Sequence, residues 1–262
     1  MECVLLLFCL KVLYPKKLFL LRGNHEWLDT SSMYAESFGR HIWNLYPSRR
    51  DAEALVGAFM RAFSFMSLAC LLSQHRILCV HGGIPRAFKR GVRDVLKFLE
   101  KLRKPIEGTF PDTSGNNVVT DLMWGDPVDA DATRAVSAPH LPEGFYRSPR
   151  DKPDEAIACT FDKQALHDFL FTNGLQMLIR AHQNQDMGCF VSNSKKLVTV
   201  FSSSCYAREN RAAALLLDDS ELTILAHAPG LQRALTRVHT TPLTRTLPDP
   251  VGTEGGDTDR EE

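Results

Sequence analysis

Four short segments place Asn, His and Gly residues directly beside apolar runs, and these residue types suit metal chemistry. In chain order they are 21–26 (LRGNHE), 81–83 (HGG), 180–183 (RAHQ) and 201–206 (FSSSCY). Neutral imidazole nitrogens and amide carbonyl oxygens bind first-row divalent metals well. Asn24, His81 and His182 therefore predict a metal site with positions open for water and a phosphate oxygen.

His25 follows Asn24 directly, so its side chain should point in another direction and could act as a general acid. In a two-metal site a bridging water becomes the nucleophile, and the metals neutralise charge on the transferring phosphoryl group. Each residue also has a simpler interpretation: a hydrogen-bonded structural His, a turn Asn, or core packing for Tyr206 and Trp124. The occurrence of all four segments in one chain favours the chemical interpretation.

The first half of the chain must supply helices and short strands to position these residues. Residues 2–14 are apolar on nearly every face and predict a buried helix, and 18–21 predict a buried strand that ends at the Asn24 segment. Amphipathic helices are expected at 31–46 and 51–65. Paired strands at 67–72 and 76–80 should lead into His81.

The second half is richer in strands. A basic helix or helical loop is expected over 87–104, a loop region at 121–127 and a Pro-rich surface insertion over about 128–155. After a helix at 163–173, the five apolar segments 176–180, 188–191, 196–201, 212–217 and 221–226 predict strands. The polar tail 228–262 predicts disorder, so 1–227 form the expected domain.

Composition excludes several classes of protein. The 262 residues carry 31 basic and 31 acidic side chains, which argues against a nucleic-acid partner. The seven Cys residues include no CxxC pair and lie mostly in apolar runs, as buried thiols do in a reducing compartment. The apolar run 4–10 lacks the flanks of a signal peptide and is too short to span a membrane, so we expect a cytoplasmic or nuclear protein.

The sequence resembles the PPP family of metal-dependent protein serine/threonine phosphatases, the group that includes calcineurin. The resemblance runs from about residue 2 to 226 and rests on 21–26, 81–83, 180–183 and 121–127 (DLMWGDP). It implies an α+β fold with a central β-sandwich flanked by helices, in α/β/β/α layers. It also implies that Asn24, His81 and His182 bind one metal, that His25 protonates the leaving alkoxide, and that Tyr206 lines the substrate pocket.

Departures from the family pattern are equally informative. The family's complete site binds two divalent ions, Mn or Fe and Zn, whereas this chain retains ligands for one and has no Asp among its first 28 residues. Two Asp-bearing motifs and the first strands would lie upstream of residue 1. The simplest alignment puts Glu155 where the family has a phosphate-binding Arg, and Arg150 or Arg147 could replace that Arg after a loop shift. In addition, Cys205 stands where the family usually has Asn.

These departures lead to two hypotheses about activity. In the first, the chain is the truncated part of an enzyme that hydrolyses phosphoserine and phosphothreonine with metal-activated water, and is inactive unless extended upstream. In the second, it is a non-catalytic pseudophosphatase or scaffold. A metallophosphoesterase acting on small phosphoesters fits the motifs less well. Implied partners are phosphoprotein substrates and regulatory subunits, with no nucleic acid and no membrane.

Overall fold

The fold is mixed α and β and is seen in a computed structural model of the chain. The structure describes residues 1–27, 37–90, 94–107, 118–128, 141–151, 158–192, 194–206, 209–219, 221–227 and, for the backbone, 236–242. None of the helices described is long and apolar enough to span a membrane.

Six α-helices occur in the described segments. They are α1 (Glu2–Leu13), α2 (Phe38–Leu45), α3 (Arg49–Ser64), α4 (Val95–Glu100), α5 (Val118–Trp124) and α6 (Lys163–Thr172), with a 3-10 turn at Arg86–Arg90. The starts of α3 and α6 are capped by side chains, because Ser48 accepts a hydrogen bond from the Asp51 amide and Asp162 accepts one from the Ala165 amide. The helices expected at 51–65 and 163–173 are confirmed within two residues at each end.

Eleven strands form three sheets in the described part of the chain. They are β1 (Ala69–Leu72), β2 (Ile77–Val80), β3 (Asp126–Pro127), β4 (Phe145–Arg147), β5 (Cys159–Phe161), β6 (Met177–Arg180), β7 (Cys189–Val191), β8 (Leu197–Val200), β9 (Ala212–Leu217), β10 (Glu221–His227) and β11 (Thr236–Pro242). The five-stranded sheet has the order β1-β2-β6-β8-β7, and β2, β6 and β8 run parallel. The other two sheets have the orders β11-β10-β9 and β3-β5-β4.

The five-stranded sheet is covered on both faces, as the expected sandwich requires. On one face, Ile77, Met177 and Val198 pack against Leu222 of β10, so this face is covered by the β11-β10-β9 sheet. On the other face, Leu78, Val80 and Leu178 belong to a core cluster that includes side chains of α4, α5 and α6. The alternation along β2 follows from the two-residue period of a strand, which turns successive side chains to opposite faces.

The N-terminal elements differ from expectation. Helix α1 has no buried residue, although its composition predicts burial, because it contacts the described chain along one side only, through residues such as Phe8. Residues 18–21 are not a strand; a single parallel bridge joins Leu21 to Ser67. The expected helix over 31–46 is seen as α2, and its residues before 37 lie outside the described chain.

Three further segments are more regular than their composition predicts. The expected loop at 121–127 begins as helix α5 and ends as strand β3, and the predicted surface insertion contributes strand β4, whose Phe145 is buried. In the tail expected to be disordered, residues 236–242 pair with β10, consistent with their Thr and Val content. Of the two alternatives expected over 87–104, a basic helix or a helical loop, the described residues match the helical loop, because they form the 3-10 turn and the short helix α4. The rest of the insertion and of the tail lies outside the described residues.

Candidate active site

The two candidate His ligands lie at the ends of neighbouring parallel strands. Strand β2 leads into His81 and strand β6 leads through Ala181 into His182. The strands pair in register, with Cys79 opposite Ile179, and the Ala181 amide donates to the His81 carbonyl at 3.0 Å. Because parallel strands end at the same edge of a sheet, both imidazoles are placed together, as the sequence predicts.

Asn24, His81 and His182 converge at this edge. The Asn24 Oδ1 atom lies 2.8 Å from His81 Nε2, and His81 Nε2 lies 3.2 Å from His182 Nδ1. We call these three side chains the ligand trio. Donor atoms bound side by side on one first-row metal ion at about 2.1 Å are about 3 to 3.5 Å apart. The donor chemistry of the trio therefore suits a divalent metal ion, and the 3.2 Å between the two imidazole nitrogens lies within this spacing.

Burial keeps both imidazoles in the neutral form that binds metals. Desolvation, with smaller contributions from neighbouring positive charge, lowers the pKa of His81 to about 3 and that of His182 to about 2. Of the described side chains, none accepts a hydrogen bond from His182 Nε2, which is buried and lies 4.0 Å from Asp126 Oδ1. Protons therefore do not compete for these nitrogens near neutral pH.

Glycines hold the turns around the trio against neighbouring backbone. A Cβ atom on Gly23 would lie 2.8 Å from the His81 ring, and one on Gly82 would lie 2.5 Å from the Met123 carbonyl carbon. The Gly82 amide also donates to the Leu122 carbonyl at 2.6 Å. The absence of side chains at these positions is what lets α5 and the Asn24 segment approach His81.

His182 itself has a left-handed backbone. Its φ of 64° is uncommon for a residue other than glycine, although His tolerates it better than most. The Trp124 ring meets the His182 ring edge to face at a centroid distance of 5.5 Å, which fixes the orientation of the imidazole. Such strain is found mainly where the surrounding structure enforces a functional geometry.

Two buried carboxylates, each paired with arginine, fix the elements beneath the trio. Asp121 on α5 accepts hydrogen bonds from the Arg86 amide and Nη2, both at 2.7 Å, and from Cys159 Sγ at 3.3 Å. Asp126 accepts from Arg180 Nη2 at 2.7 Å and from Arg150 Nε at 2.8 Å. The sequence does not indicate that Asp126 pairs with Arg150, because Arg150 approaches Asp126 from a loop.

The other two predicted site residues are placed differently. His25 follows Asn24 directly in the chain and is exposed, and desolvation lowers its pKa. Tyr206 is 70% exposed and packs against Phe201 with ring centroids 5.2 Å apart. His25 thus adjoins the trio through its chain neighbour Asn24, and no contact between Tyr206 and the trio is seen among the described residues.

Comparison with known proteins shows the family. The family model for calcineurin-like phosphoesterases matches residues 1–186, which is more than half of the 262-residue chain. The chain therefore belongs to the calcineurin-like phosphoesterase family, whose members depend on divalent metal ions. The family and the α+β sandwich predicted from the motifs are confirmed.

A solved structure shares the fold over almost the whole chain. It is a protein serine/threonine phosphatase from Saccharomyces cerevisiae with similarity to human phosphatase PP5. The match has a TM-score of 0.62 and 23% identity, and it covers 95% of this chain and 67% of that chain. At this identity the match is evidence for the fold.

Proposed function

We propose that the chain provides one metal's ligands and the general acid of a phosphatase that acts on phosphoserine and phosphothreonine in proteins. The observation that carries the proposal is the convergence of Asn24 Oδ1, His81 Nε2 and His182 Nδ1 within 3.2 Å of their neighbours. The similar yeast structure is that of a protein serine/threonine phosphatase, which supports this substrate class.

Within this proposal the trio holds the metal through three neutral donors. When bound, a divalent ion such as Mn²⁺ polarises a phosphate oxygen and acidifies a water molecule. His25 holds the proton that passes to the departing serine or threonine oxygen. Desolvation lowers the pKa of His25, which disfavours the protonated form that a general acid needs. A phosphate dianion beside the ring raises this pKa again, because it favours the charged imidazolium.

Metal titration of the purified chain tests the first half of the proposal. Calorimetric titration with Mn²⁺ should give one site, and His182→Ala should weaken it at least about tenfold because one of three ligands is lost. The matched control is His167→Ala, since the His167 side chain is 54% exposed and lies on α6 away from the trio. Equal Mn²⁺ affinity in the two variants would refute the metal assignment.

Hydrolysis of a phosphoserine peptide tests the second half. In a chain that hydrolyses the peptide, His25→Gln should lower kcat by about 10² or more while leaving Mn²⁺ affinity near wild type, since a general acid acts on the leaving group. Hydrolysis by wild type would exclude the non-catalytic binding module, and equal kcat in wild type and His25→Gln would refute His25 as the general acid.

A further inference from the structure

Two cysteines lie directly opposite each other on neighbouring antiparallel strands. Strands β1 and β2 pair with Cys70 opposite Cys79. The cysteines in the other described strands have different partners, because Cys159 lies opposite an arginine and Cys189 lies opposite a valine. Cys70 and Cys79 are thus the one cross-strand cysteine pair in the part of the chain that the structure describes.

The register of the two strands gives this pair the geometry of a disulfide. Directly opposite residues of an antiparallel pair share a face of the sheet, and their Cα atoms are about 4.5 or 5.5 Å apart. Cys79 packs in the cluster around Leu222, so Cys70 lies on that face as well. A disulfide joins residues whose Cα atoms are about 4.4–6.8 Å apart. The strands therefore need no backbone movement to form the bond.

Both cysteines are within reach of a small solute. Cys70 and Cys79 are free and half-buried, whereas Cys159 is fully buried. Strand β1 is the outer strand of its sheet, and Cys70 lines an apolar groove together with Phe19 and Phe65. A hydrogen peroxide molecule is small enough to enter this groove and reach Cys70, which lies opposite Cys79.

We propose that Cys70 and Cys79 form a reversible cross-strand disulfide on reaction with a peroxide, which ties the outer strand β1 to β2. Cys70 Sγ attacks hydrogen peroxide, the O–O bond breaks, and the products are a Cys70 sulfenic acid and one water molecule. Cys79 Sγ then attacks the sulfenic sulfur, and the hydroxyl group leaves with the Cys79 proton as a second water molecule. Two thiols are oxidised and one peroxide is reduced, so atoms and electrons balance.

The disulfide stabilises the strand that carries a member of the ligand trio. Cys79 lies two residues before His81, at which β2 ends. The bond closes the short turn between β1 and β2, and a disulfide stabilises a protein chiefly by limiting the freedom of its unfolded chain. In a chain of this size a loop of about ten residues should raise the melting temperature by about 5 °C or more. The inference does not depend on the proposed function, because neither thiol takes part in it.

Peptide mapping of the oxidised chain tests the proposal. The purified chain is treated with hydrogen peroxide in chelator, remaining thiols are blocked with N-ethylmaleimide, and the tryptic peptides are identified by mass spectrometry. Trypsin cleaves after Arg76, so Cys70 and Cys79 fall on separate peptides, 62–76 and 77–86, neither of which has another cysteine. The two peptides should be recovered joined, at least about tenfold more abundant than any other cysteine pair, since this pair is held at disulfide spacing. Dithiothreitol should separate them.

A second cysteine pair gives an internal comparison. Cys3 and Cys9 are exposed and are six residues apart in sequence, against nine for Cys70 and Cys79. Helix α1 contains both Cys3 and Cys9, and its rise keeps their Cα atoms about 9 Å apart, which is too far for a disulfide. Sequence proximity and exposure therefore favour Cys3–Cys9, whereas the strand register favours Cys70–Cys79.

Thermal melting before and after peroxide treatment tests the stabilisation. The melting temperature of wild type should rise by about 5 °C, and that of Cys79→Ser should not rise, since it has lost one partner. The matched control is Cys189→Ser, which also removes a half-buried thiol from an outer strand, β7, and should respond as wild type does. Recovery of both wild-type peptides with their thiols blocked, or of Cys3–Cys9 in equal amount, overturns the proposal. An equal change in melting temperature in all three chains also overturns it.

Discussion

Acidification of the metal-free chain should destabilise it, because two imidazoles must stay neutral in the native state. The pKa is lowered to about 3 for His81 and to about 2 for His182, against an ordinary value of 6.5. Below pH 6.5 the unfolded chain therefore binds protons that the native chain does not, so stability falls as pH falls. Between pH 7 and pH 5 each ring lowers the free energy of unfolding by about 1.9 kcal/mol, and the pair lowers it by about 4 kcal/mol.

Urea unfolding in chelator at pH 7, 6 and 5 measures this effect. His182→Asn removes one of the two titrating rings and keeps a residue type that tolerates the φ of 64°. We expect wild type to lose about 2 kcal/mol more than His182→Asn between pH 7 and pH 5, since all other groups titrate alike in both chains. The exposed control His167→Asn should lose as much as wild type. Equal losses in wild type and His182→Asn would refute the burial of a neutral His182.

Three substitutions test the structure around the site. Asp121→Asn should cost about 3–5 kcal/mol in urea unfolding because it leaves the buried Arg86 charge without its carboxylate; a loss below about 1 kcal/mol would contradict that role. Gly82→Ala should lower stability by about 1–3 kcal/mol and weaken Mn²⁺ binding in calorimetry, since its Cβ would meet the Met123 backbone at 2.5 Å; unchanged Mn²⁺ affinity would show that the turn can shift freely. Cys205→Asn should raise stability by about 1 kcal/mol, because Cys205 has a φ of 56° that Asn tolerates better; a lower melting temperature would refute this.

The positions of the two imidazoles could be predicted from the residues at which the strands end. Apolar runs ending in His81 and His182 predict two strands, and parallel pairing of β2 with β6 then brings the two imidazoles together. Asn24 also lies beside His81 in the structure, although the run before it is not a strand. Its position depends instead on the close approach of Gly23 to His81, which a local pattern cannot show.

Other features depend on contacts between segments far apart in the chain. Arg150 meets Asp126 only because β4 and β3 pair with the same strand, β5, so nothing near Arg150 in sequence indicates its partner. The apolar composition of α1 predicts burial, but composition does not say what lies against each face. The pairing of β11 with β10 likewise overrides the polar character of residues 236–242.

The most direct test of the central claim is a crystal structure of the chain soaked with Mn²⁺ and recorded with anomalous scattering. The claim predicts one anomalous peak within bonding distance of Asn24 Oδ1, His81 Nε2 and His182 Nδ1, at about 2.0 to 2.3 Å from each. A map with no peak at the trio, at a Mn²⁺ concentration that saturates the binding seen in solution, would contradict it.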